Sequence, residues 1–378
     1  RGRARAGGAG RASPRTLASA ASRIIVVRGG GECYSPSRVI LRTETVEQII
    51  TGAQRDTFVK QVVMTPGQPI GMVRKYRADL DPSRTRGALM LVHGFGQNRY
   101  TWHTSKRSLS AYFAHHGWDV FNVDLRGHGR SLGFDGKRPE ALDEYVQEDV
   151  PACAREVMRL SGHEKVVLVG HSMGGLISYS AAATKLRGQV RAIVTLGSPY
   201  RFGDGSLAMR ALAAALSATR ITGVLDANLS LPLRLLGRHL RKRRDMWDSR
   251  LLPTPVRAWR PGSMDDDVLE EYLETAFERT NISIAFDIFA GGDRVALRSR
   301  DGSIDYGTAF ETLQVPLLVV AGDQDDLAPP ASCRAAFDRS RSQDKLFRVF
   351  PAGHVDIVIG REATTTIWPL MRDFLARR

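Results

Sequence analysis

Cysteine is scarce: three in 378 residues, Cys33, Cys153 and Cys333, far apart and without CxxC spacing. That argues against a disulfide scaffold or a cysteine-ligated zinc site, and for a reducing compartment such as the cytoplasm. Long apolar runs are also missing, so no stretch has the ~18 uninterrupted apolar residues of a membrane-spanning helix. Acidic residues are absent from positions 1–31, which carry seven arginines and so supply half of the formal net charge of +14. A second basic run covers Arg234 to Arg244, and elsewhere the charges are mixed. No zinc finger or RNP motif accompanies this charge, so no specific nucleic-acid partner is expected. Weak contact with an anionic membrane surface remains compatible with it.

What is present is globular composition, 43% hydrophobic and 25% charged, in a chain long enough to bury a large core. Residues 1–31 read as a basic, disordered tail, since no apolar segment follows the basic start as a secretory signal would require. From about residue 58 the pattern turns regular. Phe58–Met64 and Gly71–Arg77 read as strands around a Pro/Gly turn. Ala88–Val92, Val120–Leu125, Val166–Val169, Ala192–Leu196, Leu317–Ala321 and Leu346–Phe350 are short apolar runs of the kind buried on both faces of a sheet. Helical stretches are expected at Ser105–His116, Leu142–Leu160, Met173–Lys185 and Thr364–Ala376. This alternation predicts a mostly parallel central sheet with helices on both faces. It is interrupted between Pro199 and Val315, a span too long for one crossover helix. The expected organisation is therefore a first core part at 32–199, a helical cap at 200–312 and a second core part at 313–378.

The sharpest local signal is Gly170-His171-Ser172-Met173-Gly174, between a strand and a helix. A strand–helix turn this tight leaves no room for side chains at Gly170 and Gly174, and it lifts the serine hydroxyl to the start of a helix, where N–H groups converge. Serine is a weak nucleophile and needs a base and an orienting acid. The expected base is His354, in Ala352-Gly353-His354-Val355-Asp356 after the last strand. The acid is expected among the three carboxylates of Gly322-Asp323-Gln324-Asp325-Asp326, with Asp325 preferred, Asp326 next and Asp323 last. An oxyanion would be held by the backbone amides of Phe95, in His93-Gly94-Phe95-Gly96-Gln97-Asn98, and of Met173. His93, His171, Asp124 and Arg126–Ser131 read as loop-shaping rather than chemical. No cofactor and no metal is called for.

In this order, HGFGQN, DLRGHGRS, GHSMGG, GDQDDLAPP and AGHVD resemble the α/β-hydrolase superfamily, over roughly residues 58–200 and 312–378. Asp149-Val150-Pro151-Ala152, together with Asp325-x-Leu327-Ala328 and His354-x-Asp356, is similar to the acid-lipase and polyhydroxyalkanoate-synthase neighbourhood. There the synthases use cysteine; Ser172 favours hydrolysis, and the absence of aspartate at this position argues against a dehalogenase or epoxide hydrolase. The resemblance implies a carboxylic-ester hydrolase of carboxylesterase or lipase type acting on a small-molecule or lipid ester through an acyl-enzyme. An acyltransferase or polyester-related enzyme on the same residues is the first alternative, and a non-catalytic binding protein the second. In the expected cap, Leu207–Thr219 and Leu229–Leu240 are amphipathic, and Asp265–Asp267 should head a helix over Val268–Arg279.

Overall fold

A computed structural model describes residues 39–131, 138–200, 229–249, 256–289 and 298–378, with isolated positions between 211 and 218. The expected tail 1–31 and most of the Leu207–Thr219 stretch lie outside the described residues.

The strands are β1 Ile40–Thr51, β2 Gln54–Met64, β3 Gly71–Arg77, β4 Ala88–Val92, β5 Asp119–Asp124, β6 Val166–His171, β7 Val190–Leu196, β8 Ser230–Leu231, β9 Thr280–Asn281, β10 Leu317–Gly322 and β11 Lys345–Phe350. Nine of them form one sheet among the described residues, in the order β1-β2-β3-β5-β4-β6-β7-β10-β11. The first three pair antiparallel, and β3 meets β5 antiparallel; from β5 to β11 every pairing is parallel. The parallel strands are the apolar runs. Every residue of β4, β5, β6 and β10 is buried, as expected where helices cover both faces.

The main helices are α1 Leu109–His115, α2 Val150–Ser161, α3 Met173–Ala183, α4 Leu233–Lys242, α5 Asp266–Thr275, α6 Ile282–Phe289, α7 Pro330–Arg339 and α8 Trp368–Ala376. The fully buried α3 packs on one face of the sheet, in a core with Val92, Leu168 and Val319; α1 and α8 pack on the other with Leu89, Leu91 and Val320.

The chain leaves β4 for β5 on one side and returns to β6 on the other. The crevice at the carboxyl ends of β4 and β6 is thus a topological switch point, where such sheets place their ligands.

Several expectations need correction. β1 has no counterpart in the sequence reading; it is a partly exposed edge strand whose polar residues mask its periodicity. α1 begins at Leu109 rather than Ser105, because the Ser108 side chain caps it by accepting from the Ala111 amide at 3.1 Å. The helices expected at Leu142–Leu160 and Thr364–Ala376 are each broken by a π-helical turn, at Tyr145–Asp149 and Ala363–Ile367. In both, a proline follows two residues later (Pro151, Pro369) and cannot donate the i→i−4 hydrogen bond. The strandless reading of 199–315 misses the two-residue ribbon β8–β9. α5 ends at Thr275 rather than Arg279, beyond which Phe277 makes an isolated bridge to Gln97. Asp265 does precede α5, but its carboxylate engages Arg107 and Arg361 rather than the helix amides.

Candidate active site

Ser172 follows β6 directly and has φ 54° and ψ −122°, the one non-glycine residue with positive φ among the described residues. L-residues avoid this region, so the surroundings must enforce it. A Cβ on Gly174 would lie 2.1 Å from the Val92 carbonyl oxygen, and one on Gly170 2.5 Å from the Gly174 carbonyl carbon. Both glycines therefore let the turn close against β4, as the sequence suggested. Gly175 has the same role without having been singled out: its Cβ would lie 2.1 Å from Ser198 Oγ.

The Phe95 loop leaves β4 beside this turn. A Cβ at Gly94 would sit 3.1 Å from Ser172 Cβ. Among the described residues, the Phe95 and Met173 amides have no hydrogen-bond acceptor. The Met173 amide opens α3, where the helix dipole favours negative charge.

His354 and Asp325 come from the loops after β11 and β10. His354 Nδ1 donates to Asp325 Oδ2 at 2.8 Å, and both side chains are buried. Asp325 Oδ1 accepts the Leu327 and Ala328 amides at 2.9 and 2.8 Å, which fixes the carboxylate before the histidine arrives. With Nδ1 carrying the proton, Nε2 is left with a lone pair. Gly197 makes the pair possible, since a Cβ there would lie 3.0 Å from Asp325 Oδ2. Asp326 turns elsewhere: its Oδ2 accepts the Arg257 amide at 2.8 Å. Asp323 is exposed. Asp356 holds the histidine loop by accepting the Gly353 and Arg260 amides at 2.9 and 3.1 Å.

Ser172 and His354 line one cavity of about 290 Å³. Gln97 is the other polar residue on a wall otherwise made of apolar side chains, among them Phe95, Leu176, Leu236, Trp247, Phe277 and Phe289. Ser172, His354, Phe95 and Met173 thus line one largely apolar chamber.

The residues read as loop-shaping make the following contacts. His93 Nδ1 donates to the Gly94 carbonyl at 2.9 Å and Nε2 accepts the Leu125 amide at 3.1 Å. Asp124 accepts the amides of Arg99 and Arg130 at 2.8 and 2.9 Å and pairs with the Arg99 guanidinium at 2.6 Å. Arg126 pairs with Asp149 at 2.9 Å and Glu144 at 2.7 Å. The sequence reading missed Gln97 as an individual residue, along with the chamber side chains from α4 and α6. Gln97 stood in a quoted motif, but nothing local marked its side chain.

Residues 87–360 match the family model described as alpha/beta hydrolase fold. The chain belongs to the α/β-hydrolase family. Within it, the chain is similar to the monoacylglycerol lipase of Mycolicibacterium smegmatis, 27% identical over 279 residues, covering 72% of this chain and 81% of the lipase. It is also similar to the pimeloyl-(acyl-carrier protein) methyl ester esterase of Citrobacter koseri, 34% identical over 110 residues. That match covers 29% of this chain and 36% of the esterase, little more than a third of the esterase's length. A solved carboxylesterase of Nitrososphaera gargenis shares the α/β-hydrolase fold with a TM-score of 0.54 at 17% identity, covering 84% of this chain and 98% of that one. Among the described residues, no helix is long and apolar enough to cross a membrane.

Proposed function

We propose that this α/β-hydrolase cleaves carboxylic esters with an apolar acyl chain by a serine acyl-enzyme mechanism. Ser172 Oγ attacks the ester carbonyl carbon while His354 Nε2 takes its proton. The negative oxygen rests against the Phe95 and Met173 amides. The same imidazole returns the proton to the leaving alcohol, and water then repeats the sequence on the acyl-enzyme. Asp325 keeps the imidazole in the right tautomer and stabilises its positive form. The described residues between 229 and 289, Leu236 and Phe289 among them, act as the cap over the chamber.

The observation that carries this reading is the Asp325–His354 hydrogen bond at 2.8 Å, with His354 and the positive-φ Ser172 on one cavity wall. The relatives named as lipase and esterases support it. In the test, purified wild type and Ser172→Ala are compared on nitrophenyl esters of graded chain length and with a fluorophosphonate probe. Turnover should fall by ~10⁴-fold or more and labelling should vanish. Undiminished turnover in the variant rules the mechanism out.

The substrate is presented from an anionic lipid surface. On α4, Leu235 is 57% exposed, and Leu236, which also lines the chamber, is 45% exposed. Arg234, Arg238 and Lys242 flank them without an acidic partner among the described residues. Apolar side chains ringed by basic ones suit an interface of acyl chains and anionic headgroups.

A further inference from the structure

We infer that Gln97 is a positioning residue that locks the oxyanion loop and helix α5 into one hydrogen-bonded unit. The inference rests on the serine mechanism proposed above and extends it to a residue with no part in proton transfer.

Four directions meet at this one buried carboxamide. Its oxygen accepts the Gly94 amide at 3.1 Å and the Thr101 hydroxyl at 3.2 Å, and lies 3.1 Å from His171 Nδ1. Its nitrogen donates to the Tyr272 hydroxyl at 2.6 Å. Tyr272 lies on α5 and is fully buried. Gly94 directly precedes Phe95, so a shift at position 97 moves the oxyanion amide, and sub-ångström alignment of such a group governs turnover.

A carboxamide suits this position because it offers an acceptor and a donor in opposite directions without charge. The titratable groups around His171 are His93 and His354, with Asp325 behind His354 and Tyr272 beyond Gln97. Burial, reinforced by the His354 and His93 rings, holds His171 well below the usual imidazole range. It is therefore neutral, with its one proton on Nε2 toward the His354 carbonyl at 2.9 Å, and Nδ1 meets the Gln97 oxygen without a hydrogen bond. A carboxylate at position 97 would keep the bonds from Gly94 and Thr101 but would offer no donor to Tyr272.

The test compares wild type with Gln97→Ala, Gln97→Met, Gln97→Glu and Tyr272→Phe, using kcat and KM for a short nitrophenyl ester across the neutral pH range, fluorophosphonate labelling rates and melting curves. Gln97→Ala and Gln97→Met should lose ~10²-fold in kcat, with labelling slowed in step and KM changed by only a few-fold. Tyr272→Phe, which severs only the link to α5, should lose less. Gln97→Glu, which keeps the acceptor for Gly94 and Thr101, should retain most of the rate that Gln97→Met loses. If Gln97→Ala fails to fold, Gln97→Met and Gln97→Glu still decide the matter. Wild-type kcat in Gln97→Met, or a Gln97→Glu rate no better than that of Gln97→Met, overturns the inference. The Ser172→Ala control separates the two levels: if it keeps full turnover the serine mechanism is wrong, and if it is dead while Gln97→Met is normal, only the role of Gln97 is wrong.

Discussion

Two regions face each other across the chamber, and they are held by different forces. The loops at the carboxyl ends of β4, β6 and β10 are held at backbone level. Gly174 sits where a Cβ would meet a carbonyl oxygen, and Asp124 and Asp325 each bind two backbone amides. Segments 229–249 and 256–289 are held mainly through side chains, by aliphatic contacts, the Gln97–Tyr272 hydrogen bond at 2.6 Å and ion pairs such as Arg241–Glu274 at 2.8 Å and Arg244–Glu270 at 3.2 Å. Pairs of that kind contribute about 0–1 kcal/mol each. One wall is therefore intolerant of change, and the other can vary side chain by side chain. On the proposed mechanism, chemistry belongs to the first and substrate choice to the second.

The largest effect that could break this contrast is at the acid. Asp325→Asn should cost ~10⁴-fold in turnover, as loss of the correct tautomer does elsewhere, while Asp326→Asn should change it little. The opposite outcome in ester kinetics would move the acid by one residue. Next, Gly174→Ala should destabilise the fold by at least about 2 kcal/mol, because the obstacle is backbone rather than a mobile side chain. Urea unfolding checks it, and a wild-type midpoint would show the elbow to be less rigid than the contact implies. On the opposite wall, Phe289→Ala should leave short esters untouched and shift kcat/KM for longer acyl chains by about 10-fold, the scale of apolar contacts in a pocket. Equal losses on every chain length would move Phe289 to the chemical side.

A fourth test probes the sheet away from the chamber. Lys75 on β3 is buried, with its ammonium donating to Gln48 at 2.5 Å. Burial, helped by repulsion from Lys60, pushes its pKa down to about 7. The unfolded chain then binds more protons than the fold between about pH 7 and about pH 10, so this group makes stability rise with pH across that window. Lys75→Met should be the more stable protein at neutral pH, with an advantage over wild type that shrinks toward pH ~10. Chemical denaturation at two pH values measures the gap, and a constant gap rejects the account. The smallest effect is expected at Leu235→Asp, which should weaken binding to anionic vesicles in a co-sedimentation assay and leave hydrolysis of a soluble ester unchanged. Undiminished vesicle binding would remove the lipid surface from the proposal.

Much of the parallel half was legible because β4, β6 and β10 carry continuous apolar runs and β5, β7 and β11 are at least half apolar. β1 was not, since an edge strand exposes polar residues and loses the apolar signal. The interrupted helices at Tyr145–Asp149 and Ala363–Ile367 were readable only in part; Pro151 and Pro369 marked a conflict but not how the backbone resolves it. At the site, Ser172 and His354 stood out through their motifs. Asp325, Asp326 and Asp323 could only be ranked, because three neighbouring carboxylates share one local pattern.

By itself the sequence determined the strand–helix rhythm and the strained turn at Ser172, since apolar runs and closely spaced glycines act over a few residues. Only the tertiary structure decided that Asp325 bonds His354 while Asp326 bonds the Arg257 amide, that Leu236 and Phe289 share a chamber with Ser172, and that Gln97 meets Tyr272 across 175 positions of chain. Such contacts depend on the path of the backbone between distant residues, and hydrogen bonds and packing made over that range leave no mark on local propensity.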